Sequence, residues 1–400
     1  MASVHDLRLE PEKVDPFFRW FAHRRWHPAW LLLLFPAMFA VLALVTAPRG
    51  QFVHAHPLQT YSRDLLHVLR VQDGSTDTDF PLLRDYPSLT CTAVAAATLL
   101  LAFLNCRLMA TFAQELHEGG LLLLPEQGQA RDEVLRAVRR TNLRFARCGQ
   151  FSWMVALGSL ATAALLMAAY RAGGAFFALA PSGAEAERRA WSKAAYTSWW
   201  ASLAPGHWAG VVVYWLFAAL ISYIMIKHNL MGICFILFFV AIRNRVTYGV
   251  DQGNTDGFHG WSPMRRLLGY VIFSLLLSVV AFSSLFIGMS AGEIPWTAPF
   301  LILYLIALPA YILVPNRLLK SAMRDFRTRE TAGTREEFAQ ARDNCPPLSV
   351  DRFQLRELER AELNHLRTLD IRLFKIKELV ATASVYLASL VATLARTFMH

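Results

Sequence analysis

Six stretches of this chain carry no Asp, Glu, Lys or Arg between their ends: Ala29–Ala47, Ser88–Cys106, Gln150–Tyr170, Trp208–Ile226, Leu267–Met289 and Thr297–Pro315. Each has the length of one helical bilayer crossing, about 20 residues. A spanning segment must satisfy its backbone internally, so runs of this length are read as helices. Hydrophobic residues make up 55% of the chain and charged residues only 18%, too little charge to cover a soluble protein of this size. The fold class predicted is all-α, a multispanning helical membrane protein. The first run ends in small residues, Val45-Thr46-Ala47, as a cleaved signal does. Its length, Pro48 and the 28 residues before it favour a retained helix, with Arg24-Arg25 as a positive anchor.

Charge sets the expected orientation. With the N-terminus inside and the runs alternating, the inner segments hold 31 Lys and Arg and the outer segments 8, with Arg396 completing the 40. That asymmetry predicts a cytoplasmic N-terminus in a plasma (inner) membrane. The net charge of +10 then lies almost wholly on the inner side, where it meets anionic lipid. A nucleic-acid surface would need basic residues with aromatics on a soluble domain, and none is present.

The predicted organisation is a cytoplasmic segment 1–28, a six-helix transmembrane region 29–316 with cytoplasmic loops 107–149 and 227–266, a cytoplasmic linker and helix 317–377, and a seventh helix 378–400. The second run is expected to continue as helix to about Glu118, where Gly119-Gly120 stop it. Beyond Lys227, His228 and Asn229 the apolar residues resume at 232–242. The preferred reading is one long helix bent at Met231-Gly232; a short in-plane segment is the alternative. Gln129–Arg147 alternates Val134, Leu135, Val138, Leu143 and Phe145 with arginines, as an amphipathic surface helix does. Thr328–Pro347 reads as a mobile polar linker. Asp351 with Gln354 three residues later reads as a capping box that opens a helix with an apolar side of Leu355, Leu358 and Leu366.

The C-terminal stretch has two faces. Leu379, Ala383, Leu387, Leu390, Leu394 and Phe398 form one. Thr382, Tyr386, Ser389, Thr393 and Arg396 form the other, spaced four, three, four, three. A hydroxyl stripe on a spanning helix requires water or a polar partner. Small hydroxyl residues also line close helix contacts in membranes, but Tyr386 is too bulky for that use. Arg396 falls at the outer end of the stripe, where a ring of charge selects ions. The five stripe residues are therefore the candidate pore lining.

The densest polar cluster elsewhere is the loop 248–263, with Asp251, Asn254, Asp256 and His259 among four glycines. It is a candidate cation or substrate loop. Its spacing misses the calcium-loop pattern, so an ordinary turn is the simpler reading. His54-Ala55-His56 is a strand-like outer stretch with two potential metal ligands, a weak pair. The other histidines, His228 among them, read as surface or interfacial. Cys91, Cys106, Cys148, Cys234 and Cys345 form no C-x-x-C pair and read as buried apolar residues or reduced thiols. Neither a haem nor a zinc set appears, so no cofactor and no metal are expected. Nucleophile elbows and phosphate loops are absent. Carboxylates are missing from the six runs, which counts against a coupled carrier and not against a channel.

The function expected is a homo-oligomeric ion channel or pore, in contact with membrane lipid and gated through a cytoplasmic protein or small-molecule ligand. The alternatives are a non-conducting scaffold or sensor that binds a partner through its cytoplasmic helices, and a membrane-embedded enzyme or lipid handler using the 248–263 loop.

Overall fold

The computed structural model describes residues 7–24, 27–69, 71–123, 129–242, 246–251, 258–288, 298–344, 346 and 350–368. The described residues are about 80% helical. The strands among the described residues are two-residue pieces, β1 (Leu122–Leu123) and β2 (Thr247–Tyr248), paired antiparallel.

Among the described residues, five helical segments are long and apolar enough to cross a membrane. The first is Pro28–Arg49, containing α2 (Leu34–Thr46). The others are α4 (Tyr86–Glu118), α6 (Ser152–Gly173), α8 (Trp208–Ile242) and α9 (Ser262–Gly288, within which Ser262–Ala281 meets the length and hydropathy tests). The sixth predicted run falls in α10 (Ala298–Asp343). The C-terminal run, with the candidate pore residues, lies outside the described residues.

The central pair is α4 against α9, which run in opposite directions. Cys91 Sγ lies 3.8 Å from Ala281 O and from Ser284 Oγ at one end. Leu121 and Trp261 share the apolar core at the other. α8 runs alongside α4 in the same direction: Ser88 and Tyr214 line one cavity near their starts, and Phe112 packs on Phe235 and Phe239 further along. α4 presents Ala95, Ala102 and Ala113 as fully covered positions, the small residues that let membrane helices approach closely.

We call the two ends of the bundle the cap end, where α4 and α8 begin, and the tail end. The cap is an ordered unit. It comprises α3 (Pro57–Val68), α7 (Glu185–Ser198) and the segments around them. Leu82 N–H and Leu83 N–H donate to the carbonyls of Gln51 and Phe52, and Trp200 N–H donates to Phe80 O. Phe80 stacks on Phe176 at 3.9 Å, and Trp191, Trp199 and Trp200 are buried beside them. Phe176 holds a left-handed backbone, φ 60°, with its N–H donating to Gly288 O 2.9 Å away at the end of α9.

At the tail end the N-terminal segment is docked. Leu7, Leu9, Val14, Phe18 and Phe21 are buried, and Phe21 meets Phe103 of α4 edge-on at 4.5 Å. Asp15 caps α1 (Pro16–His23), accepting from Phe17 N–H at 2.8 Å. Glu10 N–H donates to Asn142 Oδ1 on α5 (Gln129–Gln150) at 2.9 Å.

Two expectations are corrected. The segment 328–343 is not a mobile linker, because α10 continues through it to Asp343. Its arginines and glutamates are good helix formers, and the single Gly333 costs only about 1 kcal/mol against alanine, too little to stop the helix. Asp351 is not the cap of α11 (Val350–Thr368); it lies inside the first turn. The apolar side of α5 is covered by protein. Val134, Val138 and Phe145 are buried against α8 and the N-terminal segment, and Leu143 alone of the five is exposed.

Candidate functional site

Polar chemistry concentrates in four places, two at the cap and two toward the tail. In the cap, Arg84 is fully buried. Its Nε and Nη2 bond Asp64 Oδ2 and Oδ1 at 2.8 and 3.0 Å, a two-pronged pair. Its Nη1 donates to the carbonyls of Asp77 and Asp79, and its guanidinium lies over Phe80 at 4.1 Å. Next to it, Asp85 caps α4. It accepts from Ser88 N–H and Oγ at 3.1 and 2.6 Å, and from the indole N–H groups of Trp199 and Trp200 at 2.7 and 2.8 Å. Burial pushes the Asp85 carboxyl up, and the four donors act against that.

His54, Asp77 and Asp79 bring three potential ligand atoms within 4.8 Å of one another. His54 does not pair with His56 as a ligand, and the stretch around them is not a strand. Hydrogen bonds assign the ring. Nδ1 accepts from His56 N–H at 3.0 Å, with Thr60 Oγ1 at 3.3 Å, so Nε2 carries the proton and donates to Asp77 Oδ2 at 2.5 Å. A metal ion at Nε2 would have to displace that proton beside the Arg84 guanidinium. In this arrangement the trio clamps the cap. Burial opposes ionisation of Asp77, but Asp79 N–H, His54 and Arg84 outweigh it and hold the carboxyl below its ordinary range.

Beneath the cap lies a cavity of about 90 Å³ walled by Leu42, Ser88, Cys91, Leu166, Tyr214 and Leu285 among others. It is mostly apolar. The hydroxyls of Ser88, Thr92 and Thr162 in its wall are turned to Asp85 and to backbone carbonyls. No converging polar set orients a reacting group there.

Toward the tail, Lys227 is buried within α8. Its Nζ donates to Val14 O at 2.9 Å, Cys148 O at 2.7 Å and Ser152 Oγ at 2.7 Å, with Asp15 Oδ2 at 3.9 Å. Tyr223 OH donates to the same Asp15. One ammonium thus ties the N-terminal segment, the end of α5 and the start of α6 to α8. The sequence showed Lys227 only as a break in an apolar run.

The fourth place is uncompensated. Asn105 is fully buried, and neither of its amide atoms finds a hydrogen-bond partner among the described residues. The same is true of His228 Nδ1, and His228 is buried rather than interfacial as expected. The contact of Phe112 with Phe235 fixes the register of α4 on α8. Seven residues earlier on each helix, two turns on the same face, come Asn105 and His228. Sequence inspection passed over Asn105 because a single amide in an apolar run carries no motif.

Of the predicted loop, Asn254 and Asp256 lie outside the described residues. Asp251 and His259 are brought together by backbone: Asp251 N–H donates to His259 O at 3.0 Å, and His259 Nδ1 lies 3.1 Å from Asp251 O. His259 sits at φ 52° in the turn. Thr382, Tyr386, Ser389, Thr393 and Arg396 lie outside the described residues. No family model matches this chain, and neither the curated proteins nor the solved structures contain a match to it.

Proposed function

We propose that this chain is a subunit of a homo-oligomeric, ion-conducting membrane assembly whose C-terminal helix lines the pathway. The observation that carries the reading is the spacing of Thr382, Tyr386, Ser389, Thr393 and Arg396 along one side of a run long enough to span. In this reading there are seven crossings, the tail end faces the cytoplasm, and the C-terminus lies outside. Helix α11 supports the assembly. It leads toward the last run with Phe353 65% and Leu358 59% exposed, apolar side chains that a neighbouring copy would cover.

The test is cysteine scanning of the reconstituted chain. Cysteines at 382, 386, 389 and 393 react with a water-soluble thiol reagent and change conductance, and those at 383, 387, 390 and 394 stay protected. Arg396→Glu moves the preference toward cations. Equal protection of both faces removes the pore.

The same exposed apolar residues of α11 favour a second reading, a non-conducting scaffold whose α10–α11 hairpin docks a partner. A monodisperse complex that carries no current at any holding potential selects it. The backbone bonds between Asp251 and His259 make that loop a turn before they make it a catalytic centre.

A further inference from the structure

The cavity beneath the cap has walls that cannot close in on it. Its floor is formed by the buried rings of Trp200 and Tyr214. The Trp200 indole N–H is fixed on Asp85 at 2.8 Å, and the Tyr214 ring packs edge-on against Trp199 at 4.8 Å. The start of α8 is pressed on the same tryptophan through Gly210, where a Cβ would collide with the Trp200 carbonyl. Along the side, the Trp215 indole N–H of α8 donates to Leu160 O of α6 at 3.1 Å and fixes one helix on the other. The cavity is partly open rather than enclosed. Near the cap its wall is buried, at Pro87 and Cys91, whereas Thr162 and Leu166 of α6 and Ile221 of α8 are half-buried. The next side chain on α6, Leu165, is 66% exposed. From Tyr214 to Ile221 the wall runs about 10 Å down α8, at 1.5 Å per residue, and brackets the middle of the apolar run 208–226.

We propose that this cavity holds the terminal segment of a phospholipid acyl chain, which enters from the bilayer beside α6. The inference rests on α4, α6 and α8 as membrane crossings and not on the pore. In a hydrocarbon layer about 30 Å thick, the chain ends of both leaflets lie at the depth of this wall. The hydroxyls of Ser88, Thr92 and Thr162 are turned to Asp85 and to backbone carbonyls, so the wall offers dispersion contacts to an apolar guest. Apolar cavities of about 150 Å³ stay dry and take up benzene. A space of about 90 Å³ takes the last few carbons of a chain. A polar ligand would lose its hydrogen bonds to water there and find few replacements. A phospholipid keeps its headgroup at the bilayer surface and asks for no polar group in the cavity. The chain end would lie against Trp200, whose indole N–H is one of the donors that hold Asp85. Bilayer lipid thereby bears on the hydrogen-bond cluster that closes the cap.

The experiment uses the full chain in phosphatidylcholine vesicles, with a fraction of the lipid carrying a diazirine at the end of one acyl chain. The vesicles are irradiated, and adducts are mapped by peptide mass spectrometry. Adducts are expected on Trp200 or Tyr214, buried positions that bulk lipid does not touch, as well as on the lipid-exposed Leu44 and Leu165. Ala218→Phe fills the cavity and removes the floor adducts, and Leu166→Trp does the same from the other wall. Adducts on Leu44 and Leu165 persist in both variants and report that the bundle is still folded in the bilayer. Labelling of the exposed leucines alone in the wild-type chain overturns the proposal. So do floor adducts that survive both fillings. Floor adducts obtained only with a free diazirine fatty acid, added to unlabelled vesicles, also overturn it, because the occupant is then not the phospholipid.

Discussion

A single buried arginine organises the cap. Arg84 brings Asp64 of α3, the 77–79 turn and the Phe80 ring to one point, and each of these lies in a segment that reads as an outer loop in the sequence. Nothing in the composition of 48–87 announces a core. Its apolar residues are few, and the closure comes from charge and indole N–H groups paired across more than 100 residues, as between Asp85 and Trp199. Periodicity cannot show such pairing. Breaking a buried ion pair by removing one partner costs about 3–5 kcal/mol, because the other charge is left without compensation. Arg84→Met is expected to lower the unfolding free energy by that order, seen as a lower midpoint in thermal melts followed by tryptophan fluorescence. Arg84→Met with Asp64→Leu is expected to recover most of the loss. A double variant no more stable than the single one would show that the carbonyl contacts of Arg84, not the pair, hold the cap.

Elements were the most legible scale. The continuous α8 across Lys227, the extension of α4 to Glu118 and the helical character of the apolar runs all follow from run length and the positions of Gly and charge. One error arose where polarity was taken for a break, as in 328–343, whereas the amphipathic pattern of α5 does mark a covered apolar side. An amphipathic face needs an apolar partner, and α8 supplies one that runs about 22 Å past Lys227, at 1.5 Å per residue. The pairing of α4 with α8 also leaves Asn105 without a hydrogen bond. A buried amide with no partner costs about 1–3 kcal/mol. Asn105→Leu, similar in volume, is expected to raise stability by that amount in detergent unfolding. A loss of stability instead would mean that Asn105 is solvated within the bundle, with His228 at the same level as its natural neighbour.

At the scale of the whole molecule, two ends with different chemistry face each other across the apolar belt. The cap end is closed by acidic and indole groups around Arg84 and Asp85. The tail end carries α5, the extensions of α4 and α8, and the α10–α11 hairpin, and with them most of the arginines. In the orientation proposed above, this basic end lies on the cytoplasmic side, where it meets anionic lipid. The docked N-terminal segment fits that placement, since Lys227 and Asp15 fasten it to the tail end and not to the cap. The number of crossings then decides where the chain finishes. Arg372, Lys375 and Lys377 immediately precede the last apolar run, as they would at the inner end of a seventh crossing. A tag placed after His400 is expected to be labelled from outside intact cells, and a tag before Met1 only after permeabilisation. A C-terminal tag that also requires permeabilisation would leave six crossings. The hydroxyl stripe would then lie outside the bilayer, and α10, α11 and the last run would form one cytoplasmic helical unit instead of a route through the membrane.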